Sequence, residues 1–221
     1  MKRLAEVPQI FDRKALALRK SRAARRGGET VLAEEAARGI AHRLAAVNRR
    51  FTVPMALDIP DPAFDILKGY ADNWVFATLG EQERLPLEHD RFDLVVSVLS
   101  LHAINDLPGV LVQIRRALKP DGLFLAALFA GDTLKELRES FAAGEEAVSG
   151  GVSPRVSPFA DVRDLGGLLQ RAGFSLPVAD TERTTVRYRR FDTLVSDLRA
   201  AGETNALVQR ARRPLRRDVL A

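Results

Sequence analysis

The 221 residues carry a net charge of +5, with 46% hydrophobic and 29% charged side chains, an ordinary balance for a chain long enough to bury an α/β core. No apolar run reaches the ~20 residues that span a bilayer, and the first residues lack the ~7–15-residue apolar block of a secretory leader. The absence of cysteine excludes disulfides, thiolate metal sites and a cysteine nucleophile, and fits a reducing cytoplasm.

Charge is unevenly spread. Residues 1–50 hold 13 Lys/Arg against 5 Asp/Glu, residues 183–217 hold 10 against 3, and residues 51–182 hold 11 against 20. An acidic body with basic ends suits solvated arginine-rich helices, or contact of the ends with nucleic acid or an acidic protein. The arginines lack aromatic interleaving, which argues against a single-stranded nucleic-acid surface.

From the amino end, Met1 to Arg26 reads as a basic helix anchored by Phe11, Leu16 and Leu18; Glu6 and Asp12 argue against a transit peptide. After the Gly27-Gly28 break, Glu29 to Arg49 has the spacing of an amphipathic helix, with Leu32, Ala36, Ile40, Leu44 and Val47 on one face and His42 on the surface. Phe51 to Ile59 is the first strand, with Pro54 limiting its place in a ladder, and Pro60-Asp61-Pro62 ends it. At most two helical turns fit in Ala63 to Tyr70. A short strand follows at Trp74 to Leu79, then a polar loop from Gly80 to Asp90.

Residues 91–128 form the centre of the pattern. Phe92 to Leu99 is a valine-rich, near-continuous apolar run, the composition of a strand covered on both faces. Beyond the polar stretch Ser100 to Pro108, Val110, Leu111, Ile114, Ala117 and Leu118 fall at helical spacing, and Asn105-Asp106 suits the cap. Lys119-Pro120-Asp121-Gly122 predicts a stop and a tight turn, and Leu123 to Phe129 another apolar strand. Strand, helix, strand in this order is one parallel crossover, and ligands bind beyond the carboxyl ends of such strands. Ser97 to Asp106 is therefore the first place to look for a site.

Asp132 or Thr133 is expected to cap a helix through Ala147. The loop Ser149 to Pro158 has the length of a lid or substrate contact. A helix from Asp161 to Ala172 ends at Gly173. Thr181 to Tyr188 alternates like a strand with one wet face, Phe191 to Gly202 is a helix, and Thr204 to Leu220 a further, arginine-loaded one. This divides the chain into a helical cap at 1–50, an α/β domain at 51–190 and basic helices at 191–221.

The run FDLVVSVLSLHAINDLPGVLVQIRRALKPDGLFLAAL resembles the second half of class I S-adenosylmethionine-dependent methyltransferases. IFDR at 10–13, NDLPG at 105–109, SPFADVRDLGGLLQRAGF at 157–174 and DLRAAGETNAL at 197–207 resemble the methyltransferase-like subgroup of a mitochondrial complex I assembly factor. The malonyl-carrier methyltransferase of biotin synthesis is a more distant relative. The resemblance implies a Rossmann-like, mostly parallel sheet with helices on both faces. Here the sheet is incomplete: the first-half helix and strand are shortened into residues 60–73, and no final strand follows Tyr188 before Ala221. The strand at 181–188 is then expected to pair with the Leu123–Phe129 strand, or to lie at an exposed edge open to a partner or second copy.

The resemblance also implies S-adenosylmethionine as cofactor. Asp58 matches the acid of the family's loop after the first strand, but Pro60 and Pro62 stand where its glycines admit the ligand, so impaired cofactor binding is expected. Glu81 and Gln82 fall in the segment whose acid contacts the adenine amino group. Ser97 and Leu99 close the strand beside the sulfonium position, and His102 is placed to orient an acceptor or move a proton, or else to bond a loop carbonyl. No metal is implied. The function implied is methyl transfer, or hydroxylation on the same scaffold, to a protein or small-molecule acceptor; the alternative is an inactive assembly or protein-binding factor. The compartment implied is the bacterial cytoplasm or, alternatively, the mitochondrial matrix.

Overall fold

The computed structural model describes residues 7–28, 30–213 and 215–219. In chain order its regular elements are α1 (Arg13–Ala24), α2 (Val31–Ala46), β1 (Pro54–Leu57), α3 (Asp61–Leu67), β2 (Val75–Ala77), β3 (Phe92–Val98) and α4 (Leu107–Ala117). They continue with β4 (Leu118–Ala127), α5 (Lys135–Ser149), α6 (Val162–Arg171) and α7 (Phe191–Ala200). The chain divides into two compact units, one of residues 29–129 and 160–183, the other of residues 1–28, 130–159 and 184–221.

The first unit holds a four-stranded sheet in the order β2-β1-β3-β4, with every neighbouring pair parallel. Met55 lies opposite both Val75 and Val95, and Val95 opposite Phe124. All four residues of β1 and all seven of β3 are buried, which is why both read as unbroken apolar runs rather than alternations. Their side chains feed two cores. On one face Met55, Leu57, Phe92 and Val95 pack with Val110, Ile114 and Ala117 of α4. On the other Leu94, Val96 and Val98 pack with Ala37, Ile40 and Leu44 of α2 and with Ala63 and Leu67 of α3. Each fully buried Leu, Ile or Val contributes about 1.5–3 kcal/mol.

Several expectations are corrected in this unit. The buried face of α2 keeps the predicted Ile40 and Leu44, with Ala36 and Val47 at its margin, but its other buried positions are Ala33, Ala37 and Ala41, because a stripe of alanines packs against the sheet and α3. The continuous ladder of the first strand runs over Pro54–Leu57, with an isolated parallel bridge from Phe51 to Ala71 before it and proline at its first position, where a missing N–H costs least. Lys119-Pro120-Asp121-Gly122 lies inside β4 instead of before it. The register slips between the Phe92 and Leu94 pairings and Asp121 takes φ +62°, so the turn residues form an irregularity that bends the strand. Thr181 to Tyr188 forms no strand and is largely exposed. Its three threonines and two arginines join no ladder among the described residues, and an extended segment outside a sheet is not held as a strand. Among the described residues β4 pairs with β3 alone.

One buried acid holds the start of the sheet. Asp93 is 4% exposed and accepts the N–H of Thr52 at 2.8 Å, the N–H of Val53 at 3.0 Å and the Thr52 hydroxyl at 2.8 Å. Burial alone would push its carboxyl up, but these donors outweigh it and hold it below the usual carboxylate range. A depressed value means that the carboxylate's stabilisation is present above the ordinary value of about 4 and lost as pH falls through the lowered one. Asp93→Asn is expected to cost about 1–3 kcal/mol at neutral pH and to flatten the fall in stability below pH ~4, read from denaturant titrations at several pH values.

In the second unit Asp12 caps α1 by accepting the Ala15 N–H at 3.0 Å, and it pairs with Arg210 at 2.9 Å. Phe11 bridges Leu207 in antiparallel fashion, and the Val208 N–H donates to Ile10. This pairing replaces the arginine-rich helix predicted from Thr204; among the described residues only a 3₁₀ turn at Arg217–Val219 is helical there. The predicted start and end at Met1–Glu6 and Leu220 lie outside the described residues. The helix expected from Asp132 or Thr133 begins instead at Lys135, after Leu134 at φ +56°, without a side-chain cap. Ring contact between Phe141 and Phe191, at 6.0 Å, joins α5 to α7. The loop Ser149 to Pro158 is tied down: buried Glu145 accepts the Arg155 Nε–H at 2.7 Å and the Ser153 N–H, and Arg138 donates to the Ser157 carbonyl at 3.1 Å.

Candidate functional site

The carboxyl ends of β1 and β3 lie side by side, since Leu57 is in register with Ser97. Three chain segments leave from this edge: residues 58–62 after β1, residues 78–87 after β2, and residues 99–106 after β3. Three side-chain-bearing residues here adopt left-handed backbone, Asp58 at φ +50°, Glu83 at +54° and Leu99 at +47°. For a leucine such a conformation is uncommon and costs roughly 1–3 kcal/mol, and strained residues of this kind collect where loops form sites.

Asp58 follows β1 directly. Its N–H donates to the Ala77 carbonyl at 3.0 Å and its Oδ2 accepts the Leu79 N–H at 3.1 Å, tying the loop after β1 to the loop after β2. Glu81 and Gln82 are exposed on a turn closed by the Glu83 N–H donating to Gly80 at 3.1 Å. Ser97 is fully buried, and its Oγ lies 2.7 Å from that of Ser100, so this hydroxyl is engaged inside the strand end. The Leu99 N–H donates to Ala127 at 2.8 Å. His102 sits on the 3₁₀ turn Leu101–Ala103, 9% exposed, its ring edge-on to Phe129 with centroids 4.9 Å apart. Asp106 caps α4 by accepting the Gly109 N–H at 2.9 Å, as its position before the helix predicts.

Sequence reasoning missed one participant. Glu83, only 7% exposed, accepts the N–H of Asn105 at 2.8 Å and that of Asp106 at 2.7 Å. Gln113 of α4 donates to the Glu83 carbonyl at 3.0 Å and accepts the Leu85 N–H at 2.7 Å. The partners stand 22–30 residues away in sequence, so no local pattern announces them; the one hint is a glutamate two residues before the apolar Leu85-Pro86-Leu87.

An open parallel α/β sheet with its loops gathered at one carboxyl edge is a Rossmann-like nucleotide-type architecture. A family model described as a methyltransferase domain matches residues 36–126. The chain is 40% identical to the human protein named arginine-hydroxylase NDUFAF5, mitochondrial, over 89% of this chain and 64% of that protein. It is 46% identical to the Dictyostelium discoideum protein of the same name, over 56% of this chain and 28% of that one. It is 40% identical to the malonyl-[acyl-carrier protein] O-methyltransferase of Laribacter hongkongensis, over 59% of this chain and 42% of that one. The chain thus spans just under two thirds of the length of the human relative. Residues 36–126 thus match a methyltransferase domain, and the chain is similar to the relatives of this subgroup.

S-adenosylmethionine is the cofactor that this family implies. The exposed Glu81 and Gln82 offer the acceptors and donors that a nucleoside needs, and the Glu83 bonds tie the turn that carries them to Asn105 and Asp106 in the segment after β3. The turn after Asp58 is poorer: Pro60 and Pro62 carry no N–H, so only Ile59 and Asp61 offer backbone donors. The nucleoside end fits the residues present better than the amino-acid end. Among the described residues no His, Asp and Glu cluster suits a metal ion, and no helix is long and apolar enough to cross a membrane.

Proposed function

We propose that the chain binds S-adenosylmethionine at the carboxyl edge of β1 and β3 and directs methyl transfer to a protein or small-molecule acceptor. The observation that carries this reading is the convergence of Asp58, Glu83 and Leu99, each in left-handed backbone, on one edge of a methyltransferase-family sheet. When bound, the cofactor supplies an electrophilic methyl group. The protein's share is orientation, which needs no covalent step from its side chains. Asp58 faces the cationic amino-acid end, Glu81 and Gln82 hold the adenine, the ends of β3 at Ser97 and Leu99 form the floor, and His102 takes a proton from the acceptor or orients it. Because Pro60 and Pro62 replace glycines, affinity is weaker than a glycine-lined turn would give.

Those prolines favour a second reading, an assembly or protein-binding factor on the same scaffold. The name of the human relative, an arginine hydroxylase, supports a protein rather than a small molecule as acceptor or partner, and the edge of β4, which pairs with no further strand among the described residues, is a place for such a partner or a second copy. That relative's mitochondrial location supports the matrix as the alternative compartment for this chain.

Titration calorimetry and thermal melting with S-adenosylmethionine and S-adenosylhomocysteine test the reading. Ligand at about 100 times its Kd adds ~2.7 kcal/mol of stability, a shift of several degrees. No heat and no shift at millimolar ligand leave the assembly reading standing alone.

A further inference from the structure

We propose that Glu83 is a positioning residue that fastens two walls of the cofactor pocket into one body; the inference rests on the cofactor reading above. The turn 80–83 carries Glu81 and Gln82, and the loop 99–106 carries His102, yet no strand ladder joins them. Both carboxylate oxygens of Glu83 cross that gap, Oε1 to the Asn105 N–H at 2.8 Å and Oε2 to the Asp106 N–H at 2.7 Å. These amides immediately precede α4, where backbone N–H groups lack helical partners and negative charge is favoured.

Gln113 closes the clamp from the next turns of α4. Its Nε2 donates to the Glu83 carbonyl at 3.0 Å and its Oε1 accepts the Leu85 N–H at 2.7 Å, so the turn is held on both sides of Glu83. Leu85 is buried in the α4-facing core, anchoring the end of the clamp. A glutamate 7% exposed and at φ +54° is an expensive choice for a surface turn. Its bonds compensate by fixing where Glu81 and Gln82 stand relative to the end of β3. An untethered turn of this kind would have to be ordered by the ligand, at the ligand's expense in affinity.

The test compares wild type with Glu83→Ala, Glu83→Gln and Gln113→Leu in the full chain. S-adenosylhomocysteine affinity is measured by calorimetry at a temperature where circular dichroism shows each variant folded. Amide hydrogen exchange is followed at Asn105 and Asp106 without ligand. Glu83→Ala is expected to bind at least tenfold more weakly and to exchange at both amides at least tenfold faster. Glu83→Gln, which retains an acceptor, recovers part of each. Gln113→Leu, which removes the bonds to the Glu83 carbonyl and the Leu85 N–H and leaves the Glu83 carboxylate in place, weakens binding in the same direction and serves if Glu83→Ala does not fold.

A residue that only stabilised the fold would lower the melting temperature and leave the affinity of the folded protein unchanged; that result overturns the positioning role alone. Unchanged exchange at Asn105 and Asp106 in Glu83→Ala overturns the clamp itself. Absence of binding by wild type overturns the cofactor reading and the positioning role with it, while the exchange arm still reports on the clamp.

Discussion

Asp58→Asn is expected to weaken S-adenosylhomocysteine and S-adenosylmethionine binding by about tenfold or more, with the melting temperature nearly unchanged, and Asp58→Ala to lose both binding and stability. The two substitutions separate two jobs of one carboxylate. Asp58 Oδ2 accepts the Leu79 N–H at 3.1 Å, a bond that an asparagine carbonyl keeps. Asparagine also tolerates the left-handed backbone that Asp58 adopts at φ +50°. Asp58→Asn therefore removes the charge and little else. A charge-assisted hydrogen bond to a cationic ligand is worth about 1.5–3 kcal/mol, and 1.4 kcal/mol is tenfold in affinity.

Alanine goes further. It leaves the Leu79 N–H without its acceptor and places a methyl-bearing residue without a polar side chain in the left-handed region, together about 1–3 kcal/mol. For a chain of this size that lowers the melting temperature by several degrees. Calorimetry and thermal melting on the same samples give both numbers. Binding by Asp58→Asn within twofold of wild type would mean that the carboxylate serves only as a tie between the loops after β1 and β2.

Much of the sheet was legible because its central strands are buried on both faces. Seven buried residues in β3 and four in β1 leave an unbroken apolar signature, and α4 between β3 and β4 shows the helical spacing of a single apolar stripe. Strand limits were less legible for the same reason: with both faces covered, no alternation marks where pairing stops, and β1 proved shorter than its apolar run. The strand read at Thr181 to Tyr188 failed because alternation describes which face is wet, not whether a neighbour supplies hydrogen bonds.

The site was legible as a place and less so as chemistry. The carboxyl edge and the stretch from Ser97 to Asp106 follow from the order of strand, helix and strand, whereas Asp58 stood out only through the family resemblance. The engagement of the Ser97 hydroxyl with Ser100 and the bonds of Glu83 to Asn105 and Asp106 are tertiary facts, set by how loops fold back after leaving the sheet. Asp93 illustrates the same limit. Its position at the start of a valine-rich run gives no sign that it collects three donors from Thr52 and Val53.

Pro60→Gly/Pro62→Gly is expected to raise cofactor affinity by at least tenfold while lowering the melting temperature. Pro60, at φ −63° and ψ 145°, is the residue before α3, and Pro62 sits in its first turn. In both places a proline is conformationally comfortable, so the pair stiffens the chain between β1 and α3. Replacing each by glycine frees the unfolded chain and costs about 0.4–1 kcal/mol per site, or somewhat more. In exchange, each position regains an N–H and loses a ring, which lets backbone approach a ligand at the end of β1. One new N–H bond to a charged carboxylate, at about 1.5–3 kcal/mol, exceeds what is needed for a tenfold gain. The two effects have opposite signs and are read by different instruments, so neither can masquerade as the other. Tighter binding with a lower melting temperature identifies the prolines as the obstacle to the cofactor's amino-acid end. A lower melting temperature with unchanged affinity would place the ligand's contacts away from residues 60–62 and leave the prolines as structural stiffening alone.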